Sequence, residues 1–151
     1  MDDQPDDQAV LTQALRRIGV RNRLLFLRDG HEAILYFNGD PLYSDRVNYP
    51  LPAVLFLDLR LPGANGWEVL DWLHGTGSKG DCHIFIYSRL NEINGLQRAY
   101  SLGADSFLKK PLQEINLANL IRHFPKPWET TPLRSFENAA LAQSAKGEVC
   151  Y

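Results

Sequence analysis

The feature that most constrains this chain is a repeated alternation of short apolar runs with segments of helical periodicity. Runs of four or five consecutive apolar or aromatic residues lie at 24–27, 53–57 and 84–87, and a fourth strand is predicted at 105–109. Short, uniformly apolar runs are typical of strands buried on both faces of a parallel sheet. Because helical patterns separate these runs, the chain is predicted to form βαβ units with helices on both faces of one sheet.

Five segments carry the apolar spacing of helices that bury one face. In the first of them, acidic residues come at the start and arginines at the end, as the helix dipole favours. The predicted helices span residues 6–18, 31–39, 67–73, 91–103 and 113–123. Residues 40–52 contain three prolines and no periodicity, so they are predicted to form a loop.

Composition and charge exclude several classes of protein. The 151 residues suit one domain, and a hydrophobic fraction of 44% supports a packed core. Sixteen Lys and Arg against eighteen Asp and Glu give a net charge of -2, which argues against non-specific nucleic-acid binding. Neither a membrane span nor a signal peptide is expected. The widely spaced Cys82 and Cys150 are interpreted as reduced thiols of a cytoplasmic protein.

The character of the chain changes after Phe124. Residues 125–151 contain three prolines, many small polar residues and little periodicity. We therefore expect one folded domain at 1–124 and a C-terminal tail at 125–151, with a short helix around 135–145.

Polar side chains follow three of the predicted strands at the points where the strands end. These residues are Asp58, Ser88 and Lys110. Ligand sites in open parallel sheets lie outside the carboxyl ends of the strands, so the three side chains are expected to meet there. A carboxylate can act as a nucleophile towards phosphorus, while a hydroxyl and an ammonium can bind the oxygens of the transferred group. The sequence therefore predicts a phosphoryl site, and Asp2 and Asp3 are the candidate ligands of its magnesium ion.

The chain resembles the receiver domain of bacterial two-component response regulators. The resemblance covers roughly residues 2–123 and rests on four segments, at 2–7, 55–70, 86–88 and 103–111. Spacing strengthens it, because 30 residues separate Asp58 from Ser88 and 22 separate Ser88 from Lys110. Within the family, the chain looks most like the single-domain regulators associated with phytochrome-type kinases.

The resemblance implies a flavodoxin-like, doubly wound α/β fold with strand order 2-1-3-4-5. It also implies roles for individual residues. Asp58 matches the phosphoacceptor, Ser88 the hydroxyl that meets the phosphoryl group, and Lys110 the family lysine, because it immediately precedes a proline. Phe107 matches the aromatic residue that changes rotamer when the switch operates.

The metal site is likewise implied by the resemblance. Asp2 and Asp3 match the acidic pair that binds Mg²⁺, together with Asp58. The backbone carbonyl of Arg60, two residues past the acceptor, matches a further ligand.

The expected function is a signalling switch that is not an enzyme. A sensor histidine kinase or a phosphotransfer protein would donate the phosphoryl group to Asp58, and output would occur by contact with another protein. A homodimer is compatible with the sequence. The alternative is a receiver-like module that is not phosphorylated and serves as an interaction platform. A small phosphoester hydrolase ranks last, because no second acid or base is positioned for it.

Two departures from the family pattern bear on the site. Arg89 stands directly after Ser88, where the family favours a small residue, and it could narrow access to Asp58 or bind the phosphoryl group. Only Met1 precedes the acidic pair, where the family has an apolar strand, so the central strand of the sheet is expected to be missing.

The gap left by that strand must be filled or closed, because unpaired buried backbone groups are costly. It could be filled by residues 146–151 or by a strand from a second chain, or closed by direct pairing of 24–27 with 53–57. A rearranged or partly disordered N-terminal region is favoured over insertion of the tail. Weak magnesium binding is expected in each case, because Asp2 and Asp3 would lose the strand that holds them.

Overall fold

A computed structural model of the chain describes residues 1–60, 65–89, 93–124 and 128–129, with only the backbone described at 93 and 94. The elements are α1 Pro5–Arg17, α2 Gly30–Asn38, a 3-10 turn Pro41–Tyr43, β1 Val54–Leu57, α3 Gly66–Thr76, β2 His83–Ser88, α4 Ile93–Ser101, β3 Ser106–Lys109 and α5 Glu114–His123. They confirm the five predicted helices and three of the four predicted strands. The predicted helical residues 91–92 and the short helix at 135–145 lie outside the described residues.

The three strands form a parallel sheet in the order β1-β2-β3. In its register, Leu57 lies opposite Ile86, and Ile86 lies opposite Phe107. β2 is paired on both sides, and its residues from Ile84 onward are buried. The predicted α/β architecture with a buried parallel sheet is therefore confirmed.

Alternate residues of β2 serve the two faces of the sheet, as the pleat of a strand requires. On one face, Ile84 and Ile86 pack with α2, α3 and Ala99 of α4. On the other face, Phe85 and Tyr87 pack with α1 and α5. Helices thus cover both faces of the sheet, as in a doubly wound fold.

The strand predicted at 24–27 does not form. Leu25 and Phe26 are 44% and 43% exposed, and only Leu27 is buried. In the described part of the chain, the backbone of residues 24–27 makes no hydrogen bond to another backbone group. An apolar cleft of about 310 Å³ separates this segment from β1. The prediction is wrong because an apolar run becomes a strand only beside a neighbour that takes its backbone hydrogen bonds.

Met1 occupies the end of that cleft and pairs with the outer edge of β1. Its amine donates to the carbonyl of Phe56 at 2.6 Å, and the backbone N–H of Asp58 donates to the carbonyl of Met1 at 3.1 Å. This is the pattern of a parallel pair opposite Leu57. Burial lowers the pKa of the Met1 amine to about 6.

The Met1 pairing anchors Asp2, the acidic residue that follows it. The expectation that Asp2 would no longer be held in place is therefore wrong. Direct pairing of 24–27 with β1 is likewise not formed, since the cleft lies between them. The other two routes for filling the cleft remain predictions, because residues 146–151 lie outside the described residues and a single chain is described.

Two residues beyond the predicted domain boundary pack on the domain. The Trp128 ring lies 6.3 Å from the rings of both Phe56 and Phe85, centroid to centroid. The carbonyl of Glu129 accepts from the backbone N–H of Arg21 at 2.7 Å. The boundary at 124 therefore stays a prediction. No helix among the described residues is long and apolar enough to cross a membrane.

Candidate functional site

Three of the predicted site residues meet at the carboxyl ends of the parallel strands. Asp58 directly follows β1, Ser88 is the last residue of β2, and Lys110 directly follows β3. In the described part of the chain, the buried polar or charged residues are Asp2, Asp58, Ser88 and Lys110. Because polar groups are rarely buried without a specific role in binding or folding, their concentration at one sheet edge marks the candidate site.

Both oxygens of the Asp58 carboxylate are held by hydrogen bonds. Oδ1 accepts from the Ser88 hydroxyl at 2.9 Å and from the backbone N–H of Arg60 at 2.9 Å. Oδ2 accepts from the Lys110 ammonium at 2.5 Å. The carboxylate is therefore oriented by a hydroxyl, an amide and a cation that come from three different segments.

The Lys110 ammonium is the centre of a buried ionic cluster. Its Nζ lies 2.5 Å from Asp58, 2.6 Å from Asp2 and 3.0 Å from Asp7, and 4.8 Å from the centre of the Tyr87 ring. Burial by itself would lower the pKa of Lys110, but the hydrogen bonds to these carboxylates outweigh burial and raise it. The side chain thus remains a cation over the whole range in which proteins work.

The acidic pair divides between the two sides of the site. Asp2 is buried, with Oδ2 on Lys110 and Oδ1 accepting from the backbone N–H of Gln4 at 3.0 Å. Asp3 is partly exposed, and its Oδ2 accepts from the Gln4 side-chain amide at 2.9 Å. The structure therefore brings Asp2 to Asp58, through Lys110, and leaves Asp3 at the rim.

The donor atoms at this edge suit a hard divalent cation. Asp2, Asp3 and Asp58 offer carboxylate oxygens, and the chain turns at Arg60 directly beside Asp58. Magnesium and calcium prefer oxygen ligands of this kind. Among the described residues no three acidic, His or Cys side chains are already arranged as a metal cage, and the Lys110 ammonium contacts both Asp2 and Asp58.

Asp7 is a site residue that the sequence analysis did not single out. Its Oδ2 contacts Lys110 and also the Arg89 guanidinium, the latter at 2.9 Å. The signal was present in the helical pattern. Asp7 lies four and eight residues before Leu11 and Leu15, at the start of the buried stripe of α1, so its carboxylate points toward the sheet.

Arg89 does not lie on Asp58 in this structure. Its side chain is 60% exposed, and its guanidinium pairs with Asp7. Neither of the two roles expected for Arg89, narrowing access or binding a phosphoryl group, is tested by this contact.

α3 is held close against the acceptor segment. Asn65 caps its first turn by accepting from the backbone N–H of Glu68 at 3.1 Å. A methyl group at Gly66 would collide with the backbone carbonyl of Asp58, so glycine is what permits this close approach.

Phe107 lies on the strand next to Ser88. It is partly buried, faces Ile86 across the β2–β3 pair, and packs against the core cluster that contains Ile86. Ser88 is paired with Lys109 in the same ladder. The hydroxyl and the ring are thus two positions apart along adjacent strands.

Comparison with known proteins places these features in one family. The model of the response regulator receiver domain matches residues 1–122. The chain is 29% identical to the probable methanogenesis regulatory protein FilR2 of Methanothrix harundinacea over 119 residues, which covers 79% of this chain and 74% of that protein.

Solved structures with the same fold include phytochrome-associated regulators. The bacteriophytochrome response regulator AtBRR is 30% identical, with a TM-score of 0.70 over 86% of this chain and 92% of that one. The Mn²⁺-bound form of response regulator Rcp1 also has a TM-score of 0.70, over 87% of this chain and 95% of that one, at 23% identity.

Proposed function

Because the chain belongs to the response regulator receiver domain family, we propose that it is a phosphorylation-controlled switch in which Asp58 accepts the phosphoryl group. One observation carries the proposal. A buried carboxylate is held between a hydroxyl and a buried ammonium at the carboxyl ends of three parallel strands. Members of this family are signalling proteins, and the role proposed here is one of signalling and not of turnover.

The proposed donor is a phosphohistidine on a sensor histidine kinase or a phosphotransfer protein. An Asp58 carboxylate oxygen attacks phosphorus, a P–O bond forms, and the P–N bond to the imidazole breaks, with its electron pair leaving on the imidazole nitrogen. Ser88 and Lys110 already contact the carboxylate at 2.9 and 2.5 Å, so both donors are within reach of the group that it acquires. The positive end of the Ser88 O–H dipole and the full charge of the Lys110 ammonium stabilise the oxygens of that group.

A divalent cation, proposed to be Mg²⁺, completes the site. The proposed ligands are Asp2, Asp3, Asp58 and the backbone carbonyl of Arg60. The cation would neutralise the negative charge on the phosphoryl oxygens. The cluster favours a cation, because Asp2, Asp7 and Asp58 face a single buried ammonium. A divalent cation is bound in the Rcp1 structure, which has this fold.

Output is proposed to pass through the strand ends to a protein partner. The phosphoryl group adds negative charge and acceptor oxygens next to Ser88. A shift of that hydroxyl toward the phosphoryl group changes the packing available to Phe107 on the adjacent strand. The surface around Phe107 and α4 would then be the part of the molecule that a protein partner recognises and binds.

Mass spectrometry of the intact protein tests the acceptor. With acetyl phosphate and Mg²⁺, we expect the chain to gain one phosphoryl group, and Asp58→Asn to gain none, because an amide is not a competent nucleophile here. Asp81→Asn, at an exposed carboxylate before β2, is the matched control and should be labelled like the parent protein. Equal labelling of the Asp58→Asn protein would refute the assignment. A parent protein that takes no label from acetyl phosphate or from a phosphorylated kinase would leave the interaction module as the better description.

A further inference from the structure

Asp7 links the buried part of the site to its surface. Its Oδ2 lies 3.0 Å from the Lys110 ammonium and 2.9 Å from the Arg89 guanidinium. The Asp7 side chain is 15% exposed, whereas that of Arg89 is 60% exposed. One carboxylate oxygen therefore serves two cations, of which one is inside the site and the other lies at its mouth.

Arg89 belongs to the site through the backbone as well. It directly follows Ser88, whose hydroxyl donates to Asp58 at 2.9 Å. Its guanidinium turns away from that hydroxyl to Asp7 on α1. The Asp7–Arg89 ion pair thus joins the end of β2 to the first turn of α1 beside the acceptor.

Phosphorylation changes the competition for this guanidinium. A carboxylate with one negative charge is replaced by a phosphoryl group that carries about -1.5 to -2 and three strong acceptor oxygens. Arginine binds such oxygens through two parallel N–H donors, which an ammonium cannot do. Asp7 and the phosphoryl group are therefore rival partners of the same side chain.

We propose, on the basis that Asp58 is phosphorylated as proposed above, that Asp7 is a positioning residue that restrains Arg89 from the phosphoryl group. A guanidinium on the phosphoryl oxygens stabilises the acyl phosphate and obstructs the approach of water. By retaining Arg89, Asp7 shortens the lifetime of the phosphorylated state. The strength of the Asp7–Arg89 pair thereby sets how long the switch stays on.

The test measures the decay of phosphorylated protein after the donor is removed, at fixed Mg²⁺, by intact mass. Asp7→Asn releases Arg89, and we expect the lifetime to lengthen about 3- to 10-fold, the range of one ordinary net hydrogen bond, because Arg89 is largely exposed to solvent. In the Arg89→Ala background, Asp7→Asn should have no further effect. Asp6→Asn, one residue earlier on the exposed side of α1, is the control and should decay like the parent protein.

Spectroscopy supplies a readout that a merely structural role would not change. In the parent protein, the side-chain ¹⁵N resonances of Arg89 should shift on phosphorylation. In the unphosphorylated Asp7→Asn protein, these resonances should already differ from those of the parent, because the ion pair is absent. Arg89→Lys keeps the charge without the paired donors, so it should retain only part of the lengthening caused by Asp7→Asn.

The outcomes separate the two proposals. A parent protein that takes no label contradicts the proposed function and this inference together. If the parent protein is labelled, and Asp7→Asn lengthens the lifetime of the phosphorylated protein equally with Arg89 and with Arg89→Ala, only this inference is contradicted. Asp7 would then act through Lys110. An unchanged or shortened lifetime in Asp7→Asn contradicts it as well.

Discussion

Two apolar segments of similar length and composition end in opposite states in this molecule. β2 carries Ile84, Phe85, Ile86 and Tyr87, all of them buried, with β1 and β3 on its two sides. Residues 24–27 carry three leucines and a phenylalanine, and two of the four side chains are more than 40% exposed. Pairing with neighbouring strands, and not apolarity alone, therefore decides whether such a run becomes a strand.

The physical reason lies in the backbone. Each residue brings an N–H and a C=O that need partners, and leaving one of them buried and unpaired costs about 1–3 kcal/mol. β2 satisfies its groups on both sides through the ladders with β1 and β3. Residues 24–27 line the apolar cleft beside β1, make no backbone ladder within the described part of the chain, and leave Leu25 and Phe26 more than 40% exposed.

The candidate site lies at the ends of the paired strands and not beside residues 24–27. Asp58, Ser88 and Lys110 follow strands that pair with one another, and their positions are set by the ladder. Asp2 is the exception, because its place depends on the Met1 pairing at the outer edge of β1.

The largest difference is expected in amide hydrogen exchange. Amides of residues 84–87 should exchange only when the whole domain unfolds, whereas those of 24–27 should exchange at least about 1,000-fold faster, since no ladder protects them. Amides of α2, next in the chain after 24–27, are the internal control. Comparable protection of the two apolar segments would show that 24–27 is paired in solution and would remove the contrast.

The same contrast should appear in a matched pair of phenylalanine substitutions. Phe85→Ala removes a fully buried ring and should lower the free energy of unfolding by about 3–5 kcal/mol. Phe26→Ala removes a ring that is 43% exposed and should cost less than about 1 kcal/mol. Urea denaturation of both variants checks this. Equal losses of stability would mean that the side chain of Phe26 is buried in solution to the same extent as that of Phe85.

A glycine pair on α3 tests how this helix holds the segment that follows β1. Gly66→Ala places a methyl group against the Asp58 carbonyl and should destabilise the protein by about 1–3 kcal/mol. Gly75→Ala, on the same helix with open space around it, should instead stabilise by up to about 1 kcal/mol. Thermal unfolding separates the two. A neutral Gly66→Ala would show that α3 is not pressed against the acceptor segment.

The smallest effect concerns the start of β2. Asp105 Oδ2 accepts from the backbone N–H of Ile84 and from the Lys79 ammonium, each at 2.8 Å. Burial would raise the pKa of Asp105, but these bonds outweigh it and lower the pKa below its ordinary 3.8. Asp105→Asn should therefore cost only about 1 kcal/mol at pH 7, because the pair is partly exposed.

The pH dependence of that loss follows from the lowered pKa. The ionised carboxylate stabilises the fold above the unfolded pKa, and this contribution disappears as the pH falls through the lower folded value. The difference between parent and Asp105→Asn proteins should therefore shrink below pH 3.8. Urea midpoints across pH 3 to 7, with Asp81→Asn as the control, measure it. A difference independent of pH would assign the effect to packing.

The sequence was sufficient for the parts of the site that follow directly from a strand. Asp58 and Ser88 come straight after apolar runs and Lys110 follows the predicted strand 105–109, and parallel strands bring such positions to one edge wherever the sheet forms. Asp7 was missed because its part in the site depends on which way α1 packs. Arg89 was noticed, but its partner could not be named, since the two residues are 82 positions apart in the chain.

The alternation of strands and helices, the residues at three strand ends and the resemblance to receiver domains could all be predicted from the sequence. These depend on local spacing and residue type, which a chain carries wherever its parts lie. Three features could be seen only in the folded molecule: residues 24–27 do not form a strand, Met1 anchors Asp2 on β1, and Asp7 pairs with Arg89. Each of these depends on a partner brought close by folding, because hydrogen bonds and ion pairs act over a few ångströms in space, however far apart the residues lie in the chain.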